Sequence, residues 1–251
     1  MRVTFLGTGS AMPTGERAQT GLLLDGDEPL LVDCGSGVLQ ALARTNVGYE
    51  GVGTVLLTHH HVDHVSDLLP LLKARWLAGE EHLRVVGPAG TRDLLAGLLD
   101  VFDYLQGRVD LQVEEIGPDA PFEVAGFDVA AHETRHSMYC LAYRLSRGSE
   151  TLTFSADTEA FPDLVSFADG SAVLIHDCSF PDEVDVSNHP TPTQLGEALA
   201  AADADVGRVY LTHLYPHVAG RQEDVLTAIG DRYDGDVRFA RDGLTIDISA
   251  R

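Results

Sequence analysis

The feature that most constrains this chain is a histidine-rich segment lying between a predicted strand and a predicted helix. Residues 55–57 (Val-Leu-Leu) form a short apolar run typical of a buried strand, and residues 59–64 (His-His-His-Val-Asp-His) follow before an apolar helical pattern. Imidazole nitrogens and carboxylates bind zinc at about 2.0–2.2 Å, so a compact loop of this composition can serve two adjacent ions. The alternative is a solvated turn or an adventitious metal binder, which explains neither the ordered spacing nor the flanking elements.

Three later residues have ligand chemistry and also follow predicted strands. They are His136, Asp157 and His213, after predicted strands 127–132, 151–154 and 207–211. Because the ends of neighbouring strands meet at one edge of a sheet, we expect these side chains to join the histidine-rich loop.

The sequence therefore predicts a centre of two divalent ions. One ion is assigned to His59, His61 and His136. The other is assigned to Asp63, His64 and His213. Asp157 is the predicted bridge between them, and the plainer interpretation of Asp157 is a turn aspartate. Zinc is the expected metal, and manganese or iron are alternatives because histidine and carboxylate sites accept them.

The remaining histidines are interpreted differently. His132 competes with His136 because both occupy the same strand-end region. His60, His82 and His217 are interpreted as surface or loop residues, because a lone histidine is more often structural than a metal ligand.

An ion pair about 3.5–4 Å apart can bring the pKa of a bridging water near neutrality, so that hydroxide attacks an ester centre. Asp63 is expected to take part in this catalysis as well as in metal binding. Such a pair suits phosphodiesters, and it can also open lactams, lactones and thioesters. The metal pattern thus predicts a mechanism and leaves the substrate open.

A second histidine–acid pair favours phosphodiesters. Asp177 follows a predicted strand at 172–176, and His189 precedes a helix that Thr191 or Thr193 can cap. A protonated His189 oriented by Asp177 could give a proton to a departing alkoxide. The alternative is a loop histidine beside a turn acceptor.

Short apolar runs alternate with helical patterns, and the strands arrive in two groups that each begin with hairpin-like neighbours. This alternation predicts an α/β fold with the architecture of a four-layer αββα sandwich. A length of 251 residues suits a single domain over 1–251. The predicted strands are 2–6, 20–25, 29–33, 54–57, 83–87, 109–115, 127–132, 139–145, 151–154, 172–176, 207–211, 236–239 and 243–247. The predicted helices are 37–44, 64–77, 90–103, 160–167, 191–203 and 219–231.

Composition restricts partners and compartment. A formal charge of −22 disfavours sequence-independent attraction to nucleic acid, which depends on Lys and Arg, so RNA would need a local basic patch. Cys34, Cys140 and Cys178 form no C-x-x-C pair, which indicates reduced thiols. The chain has neither a membrane-length apolar stretch nor a signal-peptide pattern, so we expect a cytoplasmic protein without membrane association.

These motifs resemble the metallo-β-lactamase superfamily and, within it, the ribonuclease Z branch, over nearly the whole chain. Residues 59–64 match the superfamily's metal motif, and residues 5–14 and 31–37 are similar to the branch's first Gly-rich turns. Residues 176–180 and 189–191 resemble its His-Glu-Ala-Thr and His-Ser-Thr segments. The resemblance implies the metallo-β-lactamase type of sandwich, the seven ligands given above, and the acid and proton-donor roles of the second pair.

One departure affects the expected substrate. Members that process tRNA usually carry a flexible arm between the third histidine ligand and the bridging aspartate, and only twenty residues separate His136 from Asp157 here. We therefore expect a small-molecule or nucleotide-like phosphodiester, with tRNA precursors ranked below it. The alternatives are hydrolysis of a carboxylic ester, thioester, lactone or lactam, and a metal-bound sensor without catalysis. A homodimer using helix 64–77 stays open.

Overall fold

The computed structural model describes residues 1–249, which form two seven-stranded β-sheets with helices outside them. The strands in this part of the chain are β1 Arg2–Gly7, β2 Gly21–Asp25, β3 Leu30–Val32, β4 Thr54–Leu56, β5 His82–Gly87, β6 Asp110–Glu115, β7 Phe122–Val124, β8 Phe127–Glu133, β9 Leu141–Arg147, β10 Glu150–Phe154, β11 Val173–Asp177, β12 Arg208–Thr212, β13 Asp236–Phe239 and β14 Thr245–Asp247. The helices are α1 Val38–Leu42, α2 Val62–Val65, α3 Leu68–Ala78, α4 Thr91–Val101, α5 Pro162–Phe167, α6 Pro192–Ala201 and α7 Gln222–Gly230.

Each sheet combines antiparallel and parallel strands. The first has the order β14-β1-β2-β3-β4-β5-β6 and becomes parallel from β3 to β6. The second has the order β13-β12-β11-β10-β9-β8-β7 and is parallel from β10 to β13. The parallel halves bring the carboxyl ends of several strands to a common edge, which is where open α/β sheets usually bind ligands.

Side chains alternate between an inner core and two outer layers. In β2, Leu22 and Leu24 enter the core shared by both sheets, and Leu23 packs with the helices outside the first sheet. In β11, Ile175 enters the shared core and Leu174 packs with α6 and α7. Strands buried on both faces read as continuous apolar runs, which is the pattern seen in the sequence. The predicted αββα sandwich is confirmed.

The predicted helix 64–77 is wrong as a single element, because it is broken into α2 and α3. Asp67 lies at the break, where its Oδ2 accepts a hydrogen bond from Leu39 N at 2.9 Å and its N–H donates to Cys34 O at 2.9 Å. The bonds tie the start of α3 to Cys34 in the turn after β3 and to Leu39 in α1. A helical pattern in sequence does not reveal a break that depends on a distant turn.

Two hairpins also differ from expectation. β7 was not predicted, and its turn to β8 has Ala125 at φ 50° and Gly126 at φ 78°, the left-handed pair of a type I′ turn. Alanine in place of the usual Asn or Asp conceals this turn. The strand predicted at 139–145 runs instead over Leu141–Arg147.

The described residues 1–249 include no helix with both the length and the apolarity to cross a bilayer. Cys34, Cys140 and Cys178 are buried free thiols.

Candidate metal centre

The predicted ligands converge at the strand edge. The loop after β4 and the short helix α2 carry four of them, His59, His61, Asp63 and His64. The loops after β8, β10 and β12 carry the other three, His136, Asp157 and His213.

Positive backbone angles help to turn the chain at this edge. Asp33 (φ 58°), Ala156 (φ 54°) and His213 (φ 55°) each lie just beyond the end of a parallel strand. Non-glycine residues in this region cost about 1–3 kcal/mol and persist where the surrounding structure holds them, often at functional sites. The abrupt turns let side chains directly after a strand face a common point.

His59, His61 and His136 form the first cluster. His61 Nδ1 is 3.1 Å from His59 Nε2 and 3.0 Å from His136 Nε2. Asp157 Oδ2 completes the cluster at 3.8 Å from His59 Nε2 and 3.9 Å from His136 Nε2. Ligands that share a tetrahedral zinc ion at 2.0–2.1 Å lie about 3.3 Å apart, so the cluster has suitable dimensions for one cation.

The second cluster shares Asp157 with the first. Asp157 Oδ2 is 3.4 Å from His64 Nε2 and 3.2 Å from His213 Nε2. Asp63 Oδ2 lies 3.7 Å from His64 Nε2 and 3.2 Å from His213 Nε2. The structure therefore brings all seven predicted ligands into two adjoining groups, with one carboxylate common to both.

His64 provides a direct test of whether these residues fit a cation. Its Nδ1–H donates to Asp33 Oδ2 at 2.8 Å, so in the neutral, metal-binding form of the ring the lone pair is on Nε2. That Nε2 is buried and has no hydrogen-bond partner among the described residues. An unsatisfied buried polar atom costs about 1–3 kcal/mol. A divalent cation held by His64 Nε2 together with the Asp63 and Asp157 carboxylates would remove this cost.

Burial and neighbouring charges strongly shift the pKa values of side chains in the second cluster. Burial raises the pKa of Asp157, but the charges of His213 and His64 outweigh burial and hold that pKa well below its usual range. Burial lowers the pKa of His64, and Asp157 and Asp33 reverse this and raise it well above its usual range. A cation that binds His64 Nε2 must displace the proton that the raised pKa keeps on this ring, so metal binding is expected to release protons.

Asp33 is a positioning residue that the sequence analysis missed. It is fully buried, and its Oδ2 accepts hydrogen bonds from His64 Nδ1 and Thr58 Oγ1, both at 2.8 Å. Thr58 has only one hydroxyl proton, so it accepts from His59 Nδ1 at 3.0 Å. One carboxylate thus orients a histidine of each cluster. The detectable signal was an acid directly after β3, at the same edge as the histidine-rich loop.

The second predicted pair lies beside both clusters. His189 Nδ1 is 2.7 Å from Asp177 Oδ2, and the His189 ring lies 5.1 Å from that of His136 and 5.2 Å from that of His213. Ser179 donates its hydroxyl proton to Asp177 Oδ1 and lies 3.0 Å from His213 Nδ1. Burial lowers the pKa of His189, but the Asp177 carboxylate outweighs burial, so the net shift is upward.

The other histidines stay outside the clusters. His132, the competitor of His136, packs against the rings of Phe161 and Phe167. His60 Nε2 is hydrogen-bonded to Thr91 Oγ1 at 2.8 Å, and His82 Nδ1 lies 3.1 Å from Asp110 Oδ2. The His217 ring contacts the Phe180 ring, with centroids 5.2 Å apart.

Comparisons with known proteins identify the family of this chain. Residues 29–214 match the family model of the β-lactamase superfamily domain. Ribonuclease Z of Mycobacterium avium is 30% identical over 278 aligned positions, covering 100% of this chain and 99% of the relative. The probable metallo-hydrolase YhfI of Bacillus subtilis is 29% identical over 253 positions, covering 97% and 98%.

Solved structures extend the likeness to the fold. The crystal structure of the metallo-β-lactamase fold protein YhfI from Bacillus subtilis has a TM-score of 0.84 at 28% identity, covering 98% of this chain and 99% of that one. The short form of human tRNase Z has the same fold, with a TM-score of 0.80 at 22% identity and coverage of 99% and 100%. This chain belongs to the metallo-β-lactamase superfamily, in the group that includes ribonuclease Z and YhfI, and is a metal-dependent hydrolase.

Proposed function

We propose that this protein is a phosphodiesterase that acts on a small or nucleotide-like diester, with zinc as the native metal. The observation that carries the proposal is the pairing of His189 with Asp177 at 2.7 Å, beside both ligand clusters. Phosphodiester cleavage expels an alkoxide, which leaves more readily when a positioned acid protonates it. Cleavage of a thioester expels a thiolate, a much weaker base, and places less demand on such a donor.

The seven clustered side chains are the proposed metal ligands. His59, His61 and His136 would hold one cation, and Asp63, His64 and His213 the other, with Asp157 between them. When bound, two divalent cations supply a nucleophile at neutral pH and stabilise the negative charge that develops on the phosphoryl oxygens. Asp63 is also the proposed acceptor of the proton that the attacking group loses.

His189 is the proposed proton donor to the leaving group. Its Nδ1–H donates to Asp177 Oδ2, so Nε2 is the atom from which a proton passes to the departing oxygen. Asp177 fixes the ring orientation and stabilises the imidazolium form, and Ser179 restrains Asp177 from its other oxygen. The buried Asp177 carboxylate can orient His189 and stabilise its imidazolium form without moving.

The chain between His136 and Asp157 supports a small substrate. It consists of a short loop, β9, a two-residue turn at 148–149 and β10, with no additional segment. The alignment with the Mycobacterium avium ribonuclease Z spans 278 positions for 251 residues, and that with YhfI spans 253. A net charge of −22 further disfavours a long polyanion.

The core shared by both sheets supports treating residues 1–251 as one domain.

The proposal is tested by comparing three chromogenic substrates on protein loaded with zinc or manganese. These are bis(p-nitrophenyl) phosphate, an aryl thioester and a lactam. We expect the diester to be turned over fastest, the activity to disappear on chelation and to return with metal. His61→Ala should abolish turnover, and His82→Ala, at an exposed pair outside the clusters, should leave it unchanged.

Good turnover of the thioester or lactam without diester cleavage would reverse the assignment. Protein that binds two equivalents of metal and hydrolyses none of the three would instead be a metal-bound sensor.

A further inference from the structure

An aromatic pair borders the proton donor and has no part in the chemistry described above. Phe180 and Tyr215, here called the aromatic platform, stack with ring centroids 4.3 Å apart and an interplanar angle of 30°. The Tyr215 ring lies 5.8 Å from that of His189 and 5.6 Å from that of His213, edge-on to both. The platform is therefore one ring away from the metal-ligand clusters and from the proposed proton donor.

The two rings differ in exposure. Phe180 is buried at 9% exposure and is contacted by His217 with ring centroids 5.2 Å apart. Tyr215 is only partly buried. Because Phe180 covers one face of Tyr215, a ligand can reach this partly buried ring only from its other face or its edge. A rigid, braced and accessible aromatic face is the arrangement that proteins use to stack on planar ligands.

We propose that Tyr215, braced by Phe180, is a specificity-determining residue that stacks on the planar base or aryl ring of the ester group that leaves with the proton of His189. This inference rests on the proposed phosphodiesterase function and specifies the class of its substrate as nucleotide-like. Every nucleobase has a π face, so the platform can bind a base without distinguishing one base from another. A nucleoside also suits the acidic chain, because the ring contact needs no positive charge.

The binding of two probes isolates the contribution of the base. Adenosine 5′-monophosphate and ribose 5-phosphate carry the same phosphate and sugar, and only the first has a base. Calorimetric titration of the metal-loaded protein should show the nucleotide binding roughly 10- to 100-fold more tightly, the range expected for one stacked base. Because binding is measured directly, the result does not depend on turnover.

Variants then identify the ring responsible. Tyr215→Leu should bring the affinity ratio of the two probes close to one, while the affinity for ribose 5-phosphate stays unchanged. Tyr215→Phe should keep most of the ratio because it keeps the ring. Tyr104→Leu replaces an exposed tyrosine beside Lys73, outside the clusters, and is the matched control that should retain the full ratio.

Three results would overturn the inference. Equal affinities for the two probes in the unaltered protein would show that no base is recognised. An equal loss in Tyr215→Phe and Tyr215→Leu would assign the effect to the hydroxyl group, and an unchanged ratio in Tyr215→Leu would place the base elsewhere. A preserved ratio in a protein without diesterase activity would reject the proposed reaction and keep the base site, so the two failures are distinguishable.

Discussion

At the scale of single residues, the proposed metal centre depends on side chains that are not themselves proposed ligands. Asp33 reaches His64 directly and His59 through the Thr58 hydroxyl. A ligand histidine whose second nitrogen is held in this way keeps its tautomer and its ring orientation. Since the two histidines belong to different clusters, a single buried carboxylate couples the geometry of both proposed ion sites.

Asp33→Asn tests this coupling. The carboxylate accepts three hydrogen bonds, from the Thr58 N–H at Oδ1 and from the Thr58 hydroxyl and His64 Nδ1–H at Oδ2. An amide has only one acceptor oxygen, so its NH₂ group must face at least one of these donors, which then loses its acceptor. We expect metal affinity to fall about 10- to 100-fold, the usual effect of removing an outer-shell partner. Competition with a chelating dye measures this affinity.

Asp242→Asn is the matched control for that substitution. Asp242 also accepts three hydrogen bonds, from the Thr8 N–H, the Thr8 hydroxyl and the Ala18 N–H, but it bonds to no ligand side chain. It should lower stability and leave metal affinity unchanged. A similar loss of affinity in both variants would mean that Asp33 acts only through general stability.

His189→Ala tests the proton-donor role through the leaving group. Loss of a general acid costs about 10²- to 10⁴-fold when the departing alkoxide is a strong base. We expect that loss with an alkyl or nucleoside leaving group and a much smaller one with p-nitrophenolate, which departs without protonation. Steady-state kcat on both diesters measures the difference. Equal losses on the two substrates would mean that His189 serves binding or structure instead.

At the scale of elements, the sequence predicted what depends on local pattern and missed what depends on distant contacts. The buried strand ending at Leu56 and the loop that follows it were visible because period, composition and spacing lie in one short segment. The break at Asp67 was hidden because its partners, Cys34 in the turn after β3 and Leu39 in α1, lie far earlier in the chain. Asp33 was missed for the same reason, since its role appears only when Thr58 and His64 lie beside it.

The turn after β3 also explains a glycine in structural terms. A Cβ built at Gly35 would lie 2.0 Å from Asp63 O and 2.7 Å from Gln19 Cβ, so the turn must lack a side chain to contact the ligand-bearing helix α2. At Gly97, in α4, a Cβ would meet nothing within 4 Å. The pair separates a packing requirement from the general effect of replacing glycine.

Gly35→Ala should therefore destabilise the protein by about 1–3 kcal/mol through overpacking and weaken metal binding by displacing Asp63. Gly97→Ala should stabilise it by about 0.5–1 kcal/mol, because alanine is the better helix former. Denaturant unfolding of the metal-free proteins measures both. If Gly35→Ala unfolds like the unaltered protein, the turn has more room than this geometry allows.

At the scale of the whole molecule, the sandwich and the surface charge act in opposite directions on a phosphate substrate. The strand edges concentrate the proposed cation ligands at one place, whereas the net charge of −22 repels anions that approach the protein. Repulsion summed over the surface acts on a long polyanion far more than on a monoanionic diester, because each additional phosphate meets the same field. Screening by salt should therefore separate the two substrate classes.

For a single-stranded oligoribonucleotide, kcat/KM is expected to rise as salt increases from about 0.05 to 0.2 M, because the Debye length shortens and the repulsion weakens. This is opposite to the steep fall seen when Lys and Arg side chains neutralise phosphates. For bis(p-nitrophenyl) phosphate, a monoanion, the same change should have little effect, and that diester serves as the control for salt effects on the metal centre. A fall in kcat/KM for the oligonucleotide alone would reveal a local basic surface strong enough to overcome the net charge, and would rank RNA above the small diesters as the substrate.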